Sequence, residues 1–178
     1  MTFLPITRYE ELSAEAKAAS DDHVAMHDEP ITALTAALLG NVPSFAAYMQ
    51  WYELRDELVP WIGERAFTLF CYSISTANRC ENCSLFFRKV LLDSGDDPDN
   101  PEVTEAEQLL VDWGSLLVTR PHDIPDEFYG RLEEAFSPER RLTLLAFAGQ
   151  MVATNLLNTV GRIPLDPALE AYRDRSAH

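Results

Sequence analysis

Glycine and positively charged residues are scarce in this chain. Seven glycines and 14 Lys and Arg residues occur among 178 positions, against 29 Asp and Glu, which leaves a formal charge of −15. Binding to nucleic acid or to an anionic membrane surface depends on clustered Lys and Arg, and the sequence has no such basic patch. We therefore expect neither nucleic acid nor a membrane among the partners of this protein.

The sequence also lacks a long hydrophobic run and an N-terminal leader. The longest apolar-rich stretch, Leu142 to Leu157, contains polar residues and is shorter than the ~20 residues needed to cross a bilayer, so we predict a core helix there. No basic segment followed by an apolar core opens the chain. With only three cysteines, this pattern indicates a reducing cytoplasm, where Cys-x-x-Cys is more often redox-active or metal-binding than structural.

Apolar residues recur at helical spacing throughout the sequence, and no segment shows sustained strand-like alternation. Apolar residues make up 47% of the chain, which is typical of a compact globular protein. We predict one all-α domain over residues 1–178. The predicted helices span residues 13–27, 31–39, 44–58, 60–76, 79–94, 104–118, 126–136 and 138–160, and we expect a short final helix after residue 167. Thr104 and Glu107 have the spacing of a capping box, and Ser137 is predicted to cap the last long helix, with Pro138 at its first position.

The most informative segment runs from Asn78 to Cys83 and contains a Cys-x-x-Cys spacing. Asn78 is a suitable N-cap, and Glu81 then falls at the N3 position of a capping pattern. This register predicts Cys80 in the first helical turn and Cys83 on the same face. The helix dipole and Arg79 would stabilise a thiolate there, and two such thiols can close to a disulfide. Reversible dithiol chemistry is the leading hypothesis.

Other interpretations of the cysteines stay open at this point. Cys80 and Cys83 could be inert thiols that pack as small apolar residues. A zinc site is less favoured because it needs about four ligands, and no second Cys-x-x-Cys or His pair is nearby. Cys71, between Phe70 and Tyr72, is predicted to be a core residue. We predict no metal and no bound cofactor.

Several further residues have a structural and a functional interpretation. His23 and His27 are one helical turn apart, but acidic neighbours favour a solvated face over a metal site. Asn155 and Asn158 are predicted to be buried amides with hydrogen-bond partners. Four phenylalanines either line an apolar substrate pocket beside the thiols or belong to the core or a subunit interface, and they are Phe67, Phe70, Phe86 and Phe87.

Seven short segments follow one another in a characteristic order. They are Leu38–Phe45, Glu64–Thr68, Cys80–Cys83, Thr104–Glu107, Ile124–Phe128, Phe136–Glu139 and Thr154–Asn158. In this order the chain resembles the carboxymuconolactone decarboxylase superfamily, and within it the alkylhydroperoxidase D-like (AhpD-like) branch. The resemblance covers residues 31–163, and it leaves residues 1–30 as an N-terminal helical extension and residues 164–178 as a C-terminal tail.

The resemblance implies a compact all-α fold that assembles as a homo-oligomer, as a trimer, a hexamer or a dimer. It also implies reduction of a hydroperoxide, or action on another small molecule, with an external thiol as reductant. In such proteins the second cysteine attacks the peroxide and the first resolves it, which assigns these roles to Cys83 and Cys80. Helix-end electrostatics alone would favour Cys80 as the attacking thiol, and we favour Cys83.

The chain departs from the family pattern at both positions of its proton relay. The position of the family's glutamate holds Thr68, and the position of its histidine holds Phe87. Glu64 lies one helical turn before Thr68 and could supply a carboxylate to the same face. The rival hypothesis is therefore a non-catalytic oligomeric module that has lost the relay. Decarboxylase chemistry is less favoured, because such relatives generally lack the cysteine pair.

Overall fold

The computed structural model describes residues 2–173, and all regular secondary structure in that range is helical. The α-helices are α1 Ala14–His27, α2 Ala33–Leu38, α3 Val42–Ile62, α4 Glu64–Ala77, α5 Glu81–Asp93, α6 Glu105–Thr119, α7 Asp126–Ala135 and α8 Pro138–Val160. Short 3-10 helices span Tyr9–Glu11 and Pro167–Tyr172. The predicted all-α class is confirmed. The last residues of the predicted tail, 174–178, lie outside the described range.

Helix α4 lies at the centre of the molecule and contacts α3, α5, α6 and α8. Six consecutive residues of this helix, 66–71, are buried, so neighbouring helices cover it on nearly all sides. Phe70, Cys71 and Ile74 of this helix are fully buried. Phe147 of α8 packs its ring against Phe67 and Phe70. The main hydrophobic core therefore forms around α4, directly before the cysteine motif.

The N-terminal segment packs onto this body through a second, smaller core. Leu12 and Ala16 are buried there against Leu38, Leu39 and Phe45 from α2 and α3. This contact fixes α1 on the surface that α2 and α3 form. As a result, the buried face of α1 is directed toward the interior of the protein.

The boundary between α3 and α4 differs from the predicted one. Pro60 was expected near the start of a new helix, but α3 continues through Pro60 to Ile62. A proline in the last turn costs one hydrogen bond to the carbonyl four residues earlier, and the helix tolerates this loss near its end. Gly63 separates the two helices because its φ of 84° lies in the left-handed region, which other residues rarely adopt.

Side-chain caps begin several helices. The Ser13, Thr104 and Ser137 side chains each accept a backbone N–H of the helix that follows. Thr104 and Glu107 form a complete capping box, as the sequence predicted. Arg65 of α4 binds the Glu107 carboxylate, so this cap also ties α6 to α4.

Helix α8 has a buried and an exposed apolar face. Leu144, Phe147 and Met151 are buried in the core, as expected for a core helix. The opposite face carries exposed apolar residues at helical spacing, and they are Leu142, Leu145, Leu156 and Val160. Within residues 2–173, no helix combines the length and the apolar character that crossing a bilayer requires.

Gly114 sets how closely α6 can approach α4. A Cβ atom at this position would lie 3.1 Å from side-chain atoms of Ile74 and Ser73, and 3.2 Å from Phe70. We expect Gly114→Ala to lower the free energy of unfolding by about 1–3 kcal/mol, because the packed α4 side chains must move. Chemical denaturation of the purified protein measures this change.

Gly130 in α7 provides the matched control, since a Cβ atom there meets nothing within 4 Å. Gly130→Ala should raise the free energy of unfolding by about 0.5–1 kcal/mol through helix propensity. Equal effects of the two substitutions would contradict the close packing of α6 on α4.

Candidate dithiol site

The chain between α4 and α5 places Cys80 at the start of a helix in a way that the sequence did not reveal. Asn78 is the C-cap of α4, and Arg79 follows with a φ of 55° in the left-handed region. The backbone N–H of Arg79 donates to the Thr76 carbonyl, and that of Cys80 donates to the Ser75 carbonyl. This pair of bonds is a Schellman motif, which satisfies carbonyls at a helix end.

The predicted register of α5 is therefore wrong by two residues. Asn78 and Arg79 terminate α4, so neither of them can cap α5. Cys80 is the N-cap instead, and its Sγ accepts the backbone N–H of Cys83 at 3.4 Å. Cys83 is consequently at N3, where Glu81 was expected.

The two sulfur atoms lie close together at this helix start. Cys80 Sγ and Cys83 Sγ are 2.6 Å apart, and both cysteines are in the free form. The Asn158 side-chain amide of α8 donates to Cys83 Sγ at 3.3 Å. Positions N-cap and N3 bring two Cα atoms within the range that disulfides span, so bonding of the sulfurs needs no unwinding of α5.

The pKa values of the two thiols are shifted in opposite directions, downward for Cys80 and upward for Cys83. A hydrogen bond from the Cys83 thiol lowers the pKa of Cys80 against the opposing effect of burial, and the Cys83 N–H and the Thr159 hydroxyl lower it further. The same hydrogen bond raises the pKa of Cys83, and burial and repulsion by Cys80 add to this rise. Once one of the two thiol protons has left, the two sulfur atoms therefore share the remaining proton.

The two cysteines line different cavities. Cys83 lines a cavity of about 170 Å³, whereas Cys80 does not. The cavity is mostly apolar, and its lining includes Leu34, Leu38, Met49, Trp51, Phe86, Phe87, Met151 and Leu169, with polar side chains from His23, Glu29, Tyr52, Asn82, Thr154, Asn158 and Asp166. Cys80 borders a different cavity of about 210 Å³, together with Arg79, Thr159 and Arg162. A molecule in the first cavity would meet Cys83.

The phenylalanines divide between the cavity and the core. Phe86 and Phe87 line the cavity, which supports the functional interpretation for these two. Phe67 and Phe70 are buried in the main core. Cys71 is also a core residue, as predicted, and burial raises the pKa of its thiol.

Glu64 does not contact the dithiol. Its carboxylate accepts a hydrogen bond from Arg55 at 2.7 Å, and its side chain is 65% exposed. Thr68, one turn further, is buried and its hydroxyl donates to the Glu64 carbonyl. The structure therefore brings Cys80, Cys83 and Asn158 together, but it places the Glu64 carboxylate in an ion pair elsewhere.

His23 is a cavity residue that the sequence did not identify. We expected a solvated face, but His23 is only 5% exposed and lines the same cavity as Cys83. A signal was present, since Ala16, Ser20 and His23 recur at helical spacing and form the buried face of α1. Within residues 2–173, no three His, Cys, Asp or Glu side chains are arranged to hold a metal ion.

Comparisons with known proteins identify the fold. No protein-family model matches the sequence, and no curated protein sequence matches it. A crystal structure of an uncharacterized peroxidase-related protein from Silicibacter sp. superposes with a TM-score of 0.75 at 14% identity, covering 96% of this chain and 94% of that one. An alkylhydroperoxidase AhpD core structure from Ralstonia eutropha, also described as an uncharacterized peroxidase-related protein, gives 0.70 at 13% identity, with 94% of each chain covered.

The protein therefore has an AhpD-like fold. The two similar structures cover nearly the whole of this chain, including the N-terminal segment. At such low identity the similarity establishes the architecture, and the chemistry must be argued from the residues of this chain.

The pH at which the dithiol ionises tests the hydrogen bond between its two sulfur atoms directly. In the reduced protein, one thiol should ionise at a lower pH than an ordinary cysteine does. Cys83→Ala removes the thiol that donates to Cys80, so the pKa of Cys80 should rise and the thiolate should form at higher pH. The ultraviolet absorbance of the thiolate, followed against pH, measures this shift. Cys71→Ala should leave the low titration in place, and a titration that Cys83→Ala does not change would contradict the arrangement.

Proposed function

We propose that this protein is a dithiol peroxidase that reduces an organic hydroperoxide with Cys80 and Cys83. The observation that supports this proposal most is the position of Cys83. Its sulfur lies on the wall of an apolar cavity and 2.6 Å from the sulfur of Cys80. A peroxide in the cavity would therefore meet one thiol while the second waits within bonding distance.

The proposed reaction begins with loss of one thiol proton from the pair. The remaining proton moves from Cys83 to Cys80, and the Cys83 thiolate attacks the terminal oxygen of the hydroperoxide. The O–O bond breaks, Cys83 becomes a sulfenic acid, and the leaving alkoxide takes up a proton to give an alcohol. The Cys80 sulfur then attacks the Cys83 sulfur, which forms the disulfide and releases water. Sulfur is oxidised and the peroxide oxygen is reduced.

These reaction steps use Cys80, where the negative charge is more stable, to activate Cys83, which lines the cavity that a substrate would enter. Cys80 holds the negative charge, because Cys83 and Thr159 donate hydrogen bonds to it. Cys83 has access to the cavity. In the proposed mechanism Cys80 thus acts first as the proton acceptor for Cys83 and then as the resolving thiol.

The cavity lining indicates the class of substrate. Leu34, Leu38, Met49 and Phe86 offer hydrocarbon surface beside the sulfur. Burial of an apolar substituent against such a surface favours binding by roughly 25 cal/mol per Å² of area removed from water. We propose an organic hydroperoxide with an apolar group rather than hydrogen peroxide.

Completion of the cycle requires a thiol that reduces the disulfide by exchange. We propose an external thiol reductant, of the kind that the cytoplasm provides. The chemistry of the two sulfurs needs no bound cofactor.

We also propose a homo-oligomer that forms through the exposed apolar face of α8. Leu142, Leu145, Leu156 and Val160 each expose more than half of their surface in the single chain. Contiguous exposed apolar area of this kind is typical of an interaction surface. The resemblance to oligomeric AhpD-like proteins favours a second copy of this chain as its partner.

The second candidate function is a non-catalytic oligomeric module. Thr68 and Phe87 favour it, because they occupy the positions where related proteins have an ionisable relay. Such a module would keep the fold and the cavity without peroxide chemistry.

Peroxide consumption under turnover with a dithiol reductant separates the two candidates. We expect the wild-type protein to consume an aryl-alkyl hydroperoxide faster than hydrogen peroxide. Cys83→Ser and Cys80→Ser should each reduce turnover by about 10²-fold or more, since each removes an essential sulfur. Cys71→Ser serves as the matched control and should retain activity. A folded wild-type protein without turnover would overturn the peroxidase and favour the module.

Light scattering coupled to size-exclusion chromatography tests the proposed interface. We expect the wild-type mass to be a multiple of the 20.1 kDa chain. Leu145→Glu combined with Leu156→Glu should shift the protein to a monomer, because burying carboxylates in an apolar interface is costly. Leu92→Glu on the exposed surface of α5 is the control. A wild-type monomer, or an oligomer that the double substitution leaves intact, would contradict this interface.

A further inference from the structure

We propose that His23 of the N-terminal helix transfers the proton between the dithiol and the leaving oxygen of the substrate. This inference rests on the proposed peroxidase function. It assigns the acid–base role to a residue of α1, because Thr68 of α4 and Phe87 of α5 provide no ionisable group.

The first support is the burial of an imidazole with an unpaired nitrogen atom. His23 is 5% exposed, and its Nδ1 atom is buried with no hydrogen-bond partner among the described residues. Buried polar atoms in proteins are nearly always paired, so each exception requires an explanation. An imidazole that must exchange a proton with a molecule in the cavity provides one.

The second support is the shared cavity. His23 of α1 and Cys83 of α5 line the same cavity of about 170 Å³. A hydroperoxide bound there would contact both side chains at once. The proton would then pass through the bound molecule or through a water molecule in the cavity, and the two residues would not need direct contact.

The third support is the charge environment of His23. Burial lowers its pKa, repulsion by His27 lowers it further, and Glu29 acts in the opposite direction. The ring contacts Tyr52 and Phe45 of α3 edge to face, with ring centroids 5.6 Å apart in both cases. The imidazole is therefore neutral near neutral pH and can accept a proton.

Three other ionisable groups of the cavity already have hydrogen-bond partners. Tyr52 donates its hydroxyl to Glu29 at 2.7 Å, and burial raises the pKa of Tyr52 further beyond the neutral range. Asp166 accepts the backbone N–H of Ala33 at 2.9 Å. Tyr48 also contributes a phenol to the cavity lining. The Glu29 carboxylate would instead stabilise the imidazolium once it forms.

The proton balance closes without another reagent. His23 accepts one of the two thiol protons and leaves the monoanion in which Cys83 donates to Cys80. After the Cys83 thiolate attacks the peroxide, the imidazolium returns this proton to the alkoxide. The second thiol proton leaves in the water that forms with the disulfide. One dithiol and one hydroperoxide thus give one disulfide, one alcohol and one water.

The test is the pH dependence of single-turnover oxidation of the reduced protein by an aryl-alkyl hydroperoxide. In the wild type, the rate should fall as the pH drops through the lowered pKa of His23, because the imidazolium cannot accept the thiol proton. His23→Gln should slow the reaction about 10²–10⁴-fold near neutral pH and remove the limb at the pKa of His23, so that only the limb set by ionisation of the dithiol remains. His122→Gln changes an exposed histidine in the α6–α7 connection and should preserve both the rate and the limb.

The outcomes separate this inference from the proposed function. A wild-type protein that the hydroperoxide does not oxidise would overturn the peroxidase itself. An active wild type with an unchanged rate and unchanged acidic limb in His23→Gln would overturn only the role of His23. A loss of rate that preserves the limb would assign His23 a structural role instead.

A measurement on the wild type keeps the inference testable if His23→Gln does not fold. Nuclear magnetic resonance of the imidazole follows the ionisation of His23 in the reduced and the disulfide forms. The dithiol monoanion favours the imidazolium across the cavity, so oxidation to the disulfide should lower the pKa of His23. A pKa that does not change with the redox state would contradict the coupling.

Discussion

The hydrogen-bonded turn that ends α4 determines the geometry of the whole candidate site. Arg79 adopts a left-handed conformation, and the Cys80 N–H bonds back to the Ser75 carbonyl. These contacts leave Cys80 as the residue that caps α5, and its sulfur replaces the usual hydroxyl or carboxylate oxygen of a cap. The register of α5 then directs Cys83 into the cavity. As a result, Cys80 has the lower pKa, and Cys83 is the thiol that lines the apolar cavity.

The surrounding helices hold this turn in place and contribute further side chains to the site. Helix α4 is enclosed by the main core, so the turn at its end is held in place. Helix α8 contributes Asn158 to Cys83 and Thr159 to Cys80. Helix α1, which the second core attaches to α2 and α3, adds His23 to the lining of the cavity. A dithiol on a rigid helix start, an apolar cavity and one neutral imidazole together form the proposed acid–base and redox unit.

Local signals in the sequence predicted most of the fold but only part of the site. The Thr104–Glu107 capping box and the Ser137 cap depend on neighbouring residues, so their helices were predictable. The start of α5 was not, because two helix ends compete for Asn78 and Arg79, and the outcome depends on how α4 terminates. Cys80 and Cys83 were recognisable from their spacing. His23 was not, since its burial depends on how α1 docks against residues far away in the chain.

The central claim is that an oxidant reaches Cys83 and that Cys80 resolves the product. Trapping of the sulfenic acid with a 1,3-dione, followed by peptide mass spectrometry, tests this claim most directly. After treatment of the Cys80→Ser variant with an organic hydroperoxide, the account predicts an adduct on Cys83, and it predicts a Cys80–Cys83 disulfide without adduct in the wild type. The claim would be contradicted by an adduct on Cys80 in the Cys83→Ser variant together with no adduct on Cys83 in the Cys80→Ser variant.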